Sequence, residues 1–88
     1  MKVSFHATIR DAAGIHEAEV EAASVGELLG RLREMFGAQL FNLLVDKGNL
    51  REDVVILING KNILLSGGID TPLSSGDDVA IFPPVSGG

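Results

Sequence analysis

Ser24, followed three residues later by Glu27, opens the one long helical pattern in this chain, and that pattern limits what the rest can build. In such a capping box the hydroxyl accepts from an orphan amide of the first turn while the carboxylate reaches back. Val25, Leu28, Leu29, Leu32, Met35 and Phe36 then recur at helical spacing, Arg31, Arg33 and Glu34 turn largely away, and Gly37 is a natural stop. A single apolar stripe needs a surface to lie on, and the flanking sequence supplies strands. Val3, Phe5, Ala7 and Ile9 alternate with Lys2, Ser4, His6, Thr8 and Arg10, the period of two that marks a strand with one buried face. Residues 11–14 read as a turn, after which His16, Ala18 and Val20 alternate with Glu17, Glu19 and Glu21. Pairing Arg10 with Ile15 across that turn sets Phe5 opposite Val20 and Ala7 opposite Ala18, so that both apolar sets share a face.

Beyond Gly37, the apolar segment 40–45 predicts another helical turn or two before a loop over 46–53. Residues 54–58 and 63–65 flank Asn59-Gly60, the pair that best tolerates positive φ at both centres of a type I′ turn, and read as a hairpin. Alternation puts Val54, Ile56 and Ile58 with Ile63 and Leu65 on one face, and Val55, Leu57 and Leu64 on the other. Asp70-Thr71-Pro72 predicts the cap and first turn of a short helix, Gly76-Asp77 a tight turn, and residues 79–82 a last strand. Five strands and one main helix make an α+β domain over residues 1–82. One helix cannot cover both faces of such a sheet. If Val54, Ile56 and Ile58 meet the helix, Val55, Leu57 and Leu64 join His6 and Phe82 in an apolar patch on the open side, a candidate docking surface for a partner protein; the alternative is that residues 55–64 are core under a loop.

Several classes of function fall away on composition. Eighty-eight residues leave room for one modest core and no large buried active site. A formal charge of -5 would repel a phosphate backbone and an anionic membrane alike, and would be steered toward a basic groove. With no cysteine, disulfides, thiolate metal sites and a cysteine nucleophile are excluded. The first ten residues lack the uninterrupted apolar stretch of a signal peptide, and the apolar run 54–58 is far too short to span a bilayer, so a cytoplasmic protein is expected. His6 and His16 fall on opposite faces by alternation, which argues against a shared metal site. Glu17, Glu19 and Glu21 read as a solvated row guarding an edge strand, and Lys61 as an ordinary solvated lysine.

After Phe82 the sequence runs Pro83-Pro84-Val85-Ser86-Gly87-Gly88. Consecutive prolines donate no amide hydrogen and hold an extended conformation, so they end the strand and predict a projecting tail over residues 83–88. At about 3.3 Å per residue, five residues beyond Pro83 would place the last carboxylate roughly 16 Å out, far enough to enter another protein's pocket. Glycine at positions 87 and 88 leaves no β-carbon beside the terminal carbonyl, so the tail can thread a narrow channel and its carbonyl carbon can be approached closely. A free carboxylate is a poor electrophile, but condensation with ATP to an acyl-adenylate would supply a good leaving group for transfer to sulfur or an amine. The chain has no glycine-rich loop ending in Lys-Ser or Lys-Thr to cradle a nucleotide, so a separate activating enzyme is expected to use the ATP, with no cofactor bound here.

Asp70-Thr71-Pro72-Leu73 together with the run from Gly76 through Asp77-Asp78-Val79-Ala80-Ile81-Phe82-Pro83-Pro84-Val85-Ser86-Gly87-Gly88 resembles the MoaD end of the MoaD/ThiS sulfur carriers. Val3-Ser4-Phe5-His6-Ala7, Ile9-Arg10 and the helix from Val25 to Leu32 are similar to that family too, so the likeness spans most of the chain. It implies a ubiquitin-like β-grasp with a mixed five-stranded sheet packed on one main helix. It also implies a cycle in which a MoeB-like enzyme adenylates Gly88 and a sulfur donor of desulfurase or rhodanese type converts it to a thiocarboxylate. In the MoaD case the tail, here Pro83, Pro84, Val85, Ser86, Gly87 and Gly88, enters a MoaE-like catalytic subunit and passes sulfur to a pterin precursor, making the carrier the non-catalytic small subunit of molybdopterin synthase. The segment 43–63, with Leu50-Arg51 and Ile58-Asn59-Gly60-Lys61, resembles the longer MoaD-like carriers. Some of those serve tRNA thiolation, thiamine or cysteine synthesis, or act as ubiquitin-like modifiers. A β-grasp module that binds without any covalent step is the competing expectation from the residues alone.

Overall fold

The structure, a computed structural model, describes residues 1–65 and 67–83. The helix opened by Ser24 spans Val25–Phe36 (α2): Ser24 Oγ accepts from the Glu27 amide at 3.2 Å, and the Gly37 amide closes the last turn on the Arg33 carbonyl at 2.8 Å. Gly37 adopts φ 90, a conformation that disfavours any residue with a β-carbon. A second helix follows at once, Ala38–Leu44 (α3), burying Leu40 and Leu44. Residues expected to form a plain loop instead carry a small antiparallel hairpin, β3 (Val45–Asp46) against β4 (Asn49–Leu50).

The main sheet contains β1 (Lys2–Phe5), β2 (Glu17–Glu19), β5 (Val55–Ile58), β6 (Lys61–Asn62) and β7 (Asp78–Phe82) in the spatial order β2-β1-β7-β5-β6. β1 runs parallel to β7 and the remaining pairs are antiparallel, so the sheet is mixed and its two chain-terminal strands lie at its centre. Val3, Phe5, Ile56, Val79 and Ile81 point to the helical side and are buried with Leu28, Leu32, Leu40 and Leu44. Phe5 meets Phe36 edge to face, with ring centres 5.4 Å apart. Full burial of such side chains contributes about 1.5–3 kcal/mol each, which makes this layer the principal source of stability.

Three expectations are corrected. The first strand stops at Phe5 and residues Ala7–Ala13 form a helix (α1) closed by Gly14, where a strand to Arg10 and a turn had been expected. Ile9, Ala12 and Ala13 satisfy a helical spacing as well as Ile9 satisfies the alternation, and three alanines in seven residues favour the helix. With that helix inserted, β1 pairs as Val3↔Ala18 and Ser4↔Glu17, and the Phe5 amide reaches the His16 carbonyl at 2.8 Å; Phe5 does not face Val20. The hairpin at Asn59-Gly60 forms as expected, with φ 51 and 85 at its two centres, but β6 ends at Asn62. Ile63–Leu65 turn into a 3₁₀ segment, so Ile63 is buried whereas Leu65 is 87% exposed rather than in the core. Finally, Asp70-Thr71-Pro72 does not start a helix: Asp70 ends a 3₁₀ turn over Gly68–Asp70, Thr71 caps it, and Pro72 bridges Ser24.

The Gly76-Asp77 turn is tied to the hairpin. Asp77 accepts from the Ser74 amide at 2.8 Å and from Asn59 Nδ2 at 2.9 Å, while Asn59 Oδ1 accepts from the Asp78 amide at 3.0 Å. The Ser74 amide first, and Asn59 second, hold the Asp77 carboxyl below the ordinary aspartate value of 3.8. A carboxyl depressed in the folded state adds stability above its unfolded value and loses it as pH falls through the folded one. The Tm advantage of the wild type over Asp77→Asn is therefore expected to be full well above the ordinary aspartate value of 3.8 and to shrink as pH falls below it. A difference that stays constant from neutral to acid pH in a thermal melt series would contradict this role.

Candidate functional site

β7 is the strand on which the candidate site is built. Its residues alternate in burial, with Val79 and Ile81 in the core and Ala80 and Phe82 half-buried on the face away from the helices. Across that open face Ser4, Ala80, Leu57 and Asn62 stand in one row, and Phe82 stands opposite Val55 in the next. The structure thus brings Val55, Leu57 and Phe82 together on the uncovered side. Leu64 lies past the end of β6 in the 3₁₀ segment, 64% exposed, where strand alternation no longer assigns it to that face.

His6 completes the upper end of the face. It is the N-cap of α1, yet its side chain makes no capping bond; instead the imidazole stacks on Phe82, with ring centres 4.2 Å apart and planes 11° from parallel. Its backbone amide donates to the Ile81 carbonyl at 3.2 Å. Ser4 Oγ donates to the Val79 carbonyl at 3.3 Å and shares a hydrogen bond of 3.3 Å with His6 Nε2. Ring stacking of this kind contributes about 0.5–1.5 kcal/mol beyond burial. The patch was legible in the alternation of His6, Val55, Leu57 and Phe82; the stack and the place of Ser4 were not, because they depend on β1 lying parallel to β7.

Pro83 follows Phe82 immediately and is half-buried, outside any strand. Pro84, Val85, Ser86, Gly87 and Gly88, the remaining residues of the expected tail, lie outside the described residues. Charges flank the patch without entering its apolar end: Lys2 pairs with Glu17 at 3.8 Å at the opposite end of β1. Such exposed pairs contribute little, about 0–1 kcal/mol, and leave the face free to be desolvated. Among the described residues no helix is long and apolar enough to cross a membrane.

The ThiS family model matches residues 3–88. The chain belongs to the ThiS family. A protein of Archaeoglobus fulgidus named as a sulfur carrier protein is 34% identical over 88 residues, covering 100% of this chain and 98% of its own. Small archaeal modifier protein 3 of Haloferax volcanii is 33% identical over 91 residues, with 100% of this chain and 98% of the relative covered. Among solved structures, a chain of the Amycolatopsis orientalis BexX/CysO complex superposes with a TM-score of 0.88 at 26% identity, covering 99% of this chain and 98% of that one. A Pyrococcus furiosus protein named as subunit 1 of a molybdopterin converting factor gives a TM-score of 0.73 at 32% identity, covering 96% and 95%. The fold is accordingly the ubiquitin-like β-grasp, and the family is one of sulfur carriers and ubiquitin-like modifiers.

Proposed function

We propose that this ThiS-family chain is a sulfur carrier whose Gly88 carboxylate is adenylated and then converted to a thiocarboxylate. The observation that carries this reading is the run from the central strand β7 through Phe82-Pro83-Pro84 to Gly87-Gly88, all of it inside the family match. An adenylated glycine carbonyl has no β-carbon beside it and a good leaving group on it, so a persulfide can attack the carbon and expel AMP; a second thiol then reduces the resulting acyl disulfide, breaking its S–S bond to leave the thiocarboxylate and a protein disulfide. The carrier supplies the acyl group; a MoeB-like enzyme supplies ATP binding, and a desulfurase or rhodanese-type protein supplies sulfur. Docking of either enzyme uses Val55, Leu57 and Phe82 on the open face, whose apolar end borders the residue from which the tail departs.

As acceptor we favour a pterin precursor, with this chain as the small subunit of molybdopterin synthase beside a MoaE-like subunit. The Phe-Pro-Pro ending and the likeness to the Pyrococcus furiosus protein support that choice. The relative in Haloferax volcanii favours a second reading, attachment of the same activated carbonyl to target lysines. Both need the acyl-adenylate. With the cognate activating enzyme, ATP and hydroxylamine, the chain is expected to accumulate a hydroxamate at Gly88, because hydroxylamine nitrogen attacks the activated carbonyl and AMP leaves. Absence of that product, with ATP turnover unstimulated by the chain, would refute the activation step.

A further inference from the structure

We propose that His6 is a positioning residue that fixes the direction in which Pro83 leaves the sheet, and that it acts through Phe82. The inference rests on the carrier reading for its consequence, though not for its geometry. Three contacts tie His6 to β7 just before the strand ends: its amide on the Ile81 carbonyl, its ring on the face of Phe82, and its Nε2 on Ser4 Oγ, itself bound to the Val79 carbonyl. Phe82 has β5 on one side through Val55 and the imidazole stacked on its ring, so its side chain is held to one orientation.

The chain also accepts an unfavourable backbone to reach this arrangement. Ala7, directly after His6, sits at φ 52, a left-handed conformation that a residue with a β-carbon seldom adopts. His6 itself is extended, with φ -124 and ψ 145, and as N-cap it leaves the helix start without a side-chain bond. A strand-to-helix junction could be made with a serine or aspartate cap and no strain at the next residue. The imidazole is instead spent on Phe82. Strain and a forgone cap at one junction are the kind of local conflict expected where a side chain is held for a purpose beyond folding. In a reaction that places a terminal carbonyl against ATP, the direction of the chain at Pro83 bears on how often that carbonyl arrives in line.

Two variants separate positioning from simple contact. His6→Phe keeps a flat ring for the stack; His6→Leu keeps bulk without it. In adenylation assays with the cognate activating enzyme, His6→Leu is expected to lower kcat about tenfold with KM within about twofold, and His6→Phe to stay within about twofold of wild type in both. A raised KM with kcat intact, or equal impairment of the two variants, would overturn the proposal. Residual dipolar couplings at Phe82 and Pro83 give a readout that needs no enzyme: they should shrink in His6→Leu and persist in His6→Phe. If the wild type is not adenylated while the couplings behave as expected, the carrier reading fails and the positioning role stands. If the couplings are equal in all three proteins, the positioning role fails whatever the enzyme does.

Discussion

Adding one residue after Gly88 is expected to abolish adenylation and thiocarboxylate formation while leaving Tm within about 2 °C of the wild type. The chemical half of this prediction follows from the carbonyl itself. ATP condenses with a carboxylate oxygen; once Gly88 is an internal residue its carbonyl belongs to an amide, which offers no such oxygen, and the new terminus carries a side chain and lies one residue further out. The stability half follows from where the core ends. Ile81 is the last residue of the buried cluster among the described residues, and β7 finishes one residue later at Phe82. Full activity of the extended chain would place the chemistry on some other group, and loss of stability would mean that the terminal residues support the fold.

Joint replacement of Phe82 and Leu57 by aspartate should weaken binding of the activating enzyme by about a hundredfold, the effect of removing two central apolar contacts from an interface. Both side chains lie on the sheet face opposite the helices, in adjacent rows of β7 and β5. Their half-buried state reflects their sheet neighbours and the His6 ring, with the helices packed on the other side. Their replacement therefore costs far less fold stability than that of a core residue such as Ile56, and the thermal transition should remain cooperative. Isothermal titration against the activating enzyme measures the first effect and a thermal melt the second. Unchanged affinity would remove the open face from the interface, and a collapsed melt would assign Phe82 and Leu57 to the structural core.

How much of this was legible in the sequence depended on whether local periodicity had one reading or two. α2 was clear, since its cap, its stripe and its terminal glycine all agree: Ser24 accepts from the Glu27 amide, Val25, Leu28, Leu29 and Leu32 are buried and Gly37 closes the helix, while Met35, expected in the stripe, is 49% exposed near the helix end. The Asn59-Gly60 turn was equally clear because few residue pairs accept two positive φ values. Residues 7–13 fit both a strand and a helix; contacts with α3 and β7 decided in favour of α1, and no local signal carries those contacts. Ile63-Leu64-Leu65 looked like a strand by composition, but Asn62 Oδ1 accepts from the Leu64 amide at 3.0 Å and diverts the backbone from the ladder. Of the candidate site, the apolar face around Phe82 was readable by alternation. The stacking of His6 on Phe82 was not, since it arises from the parallel pairing of residues at opposite ends of the chain.

The most direct test of the account is the intact mass of the chain after incubation with ATP, its activating enzyme and a sulfur donor. The account predicts replacement of one oxygen by one sulfur, located at Gly88 by fragmentation and absent when ATP is withheld. An unchanged mass under conditions in which the same enzyme consumes ATP on a known carrier, or a sulfur found anywhere else in the chain, would contradict it.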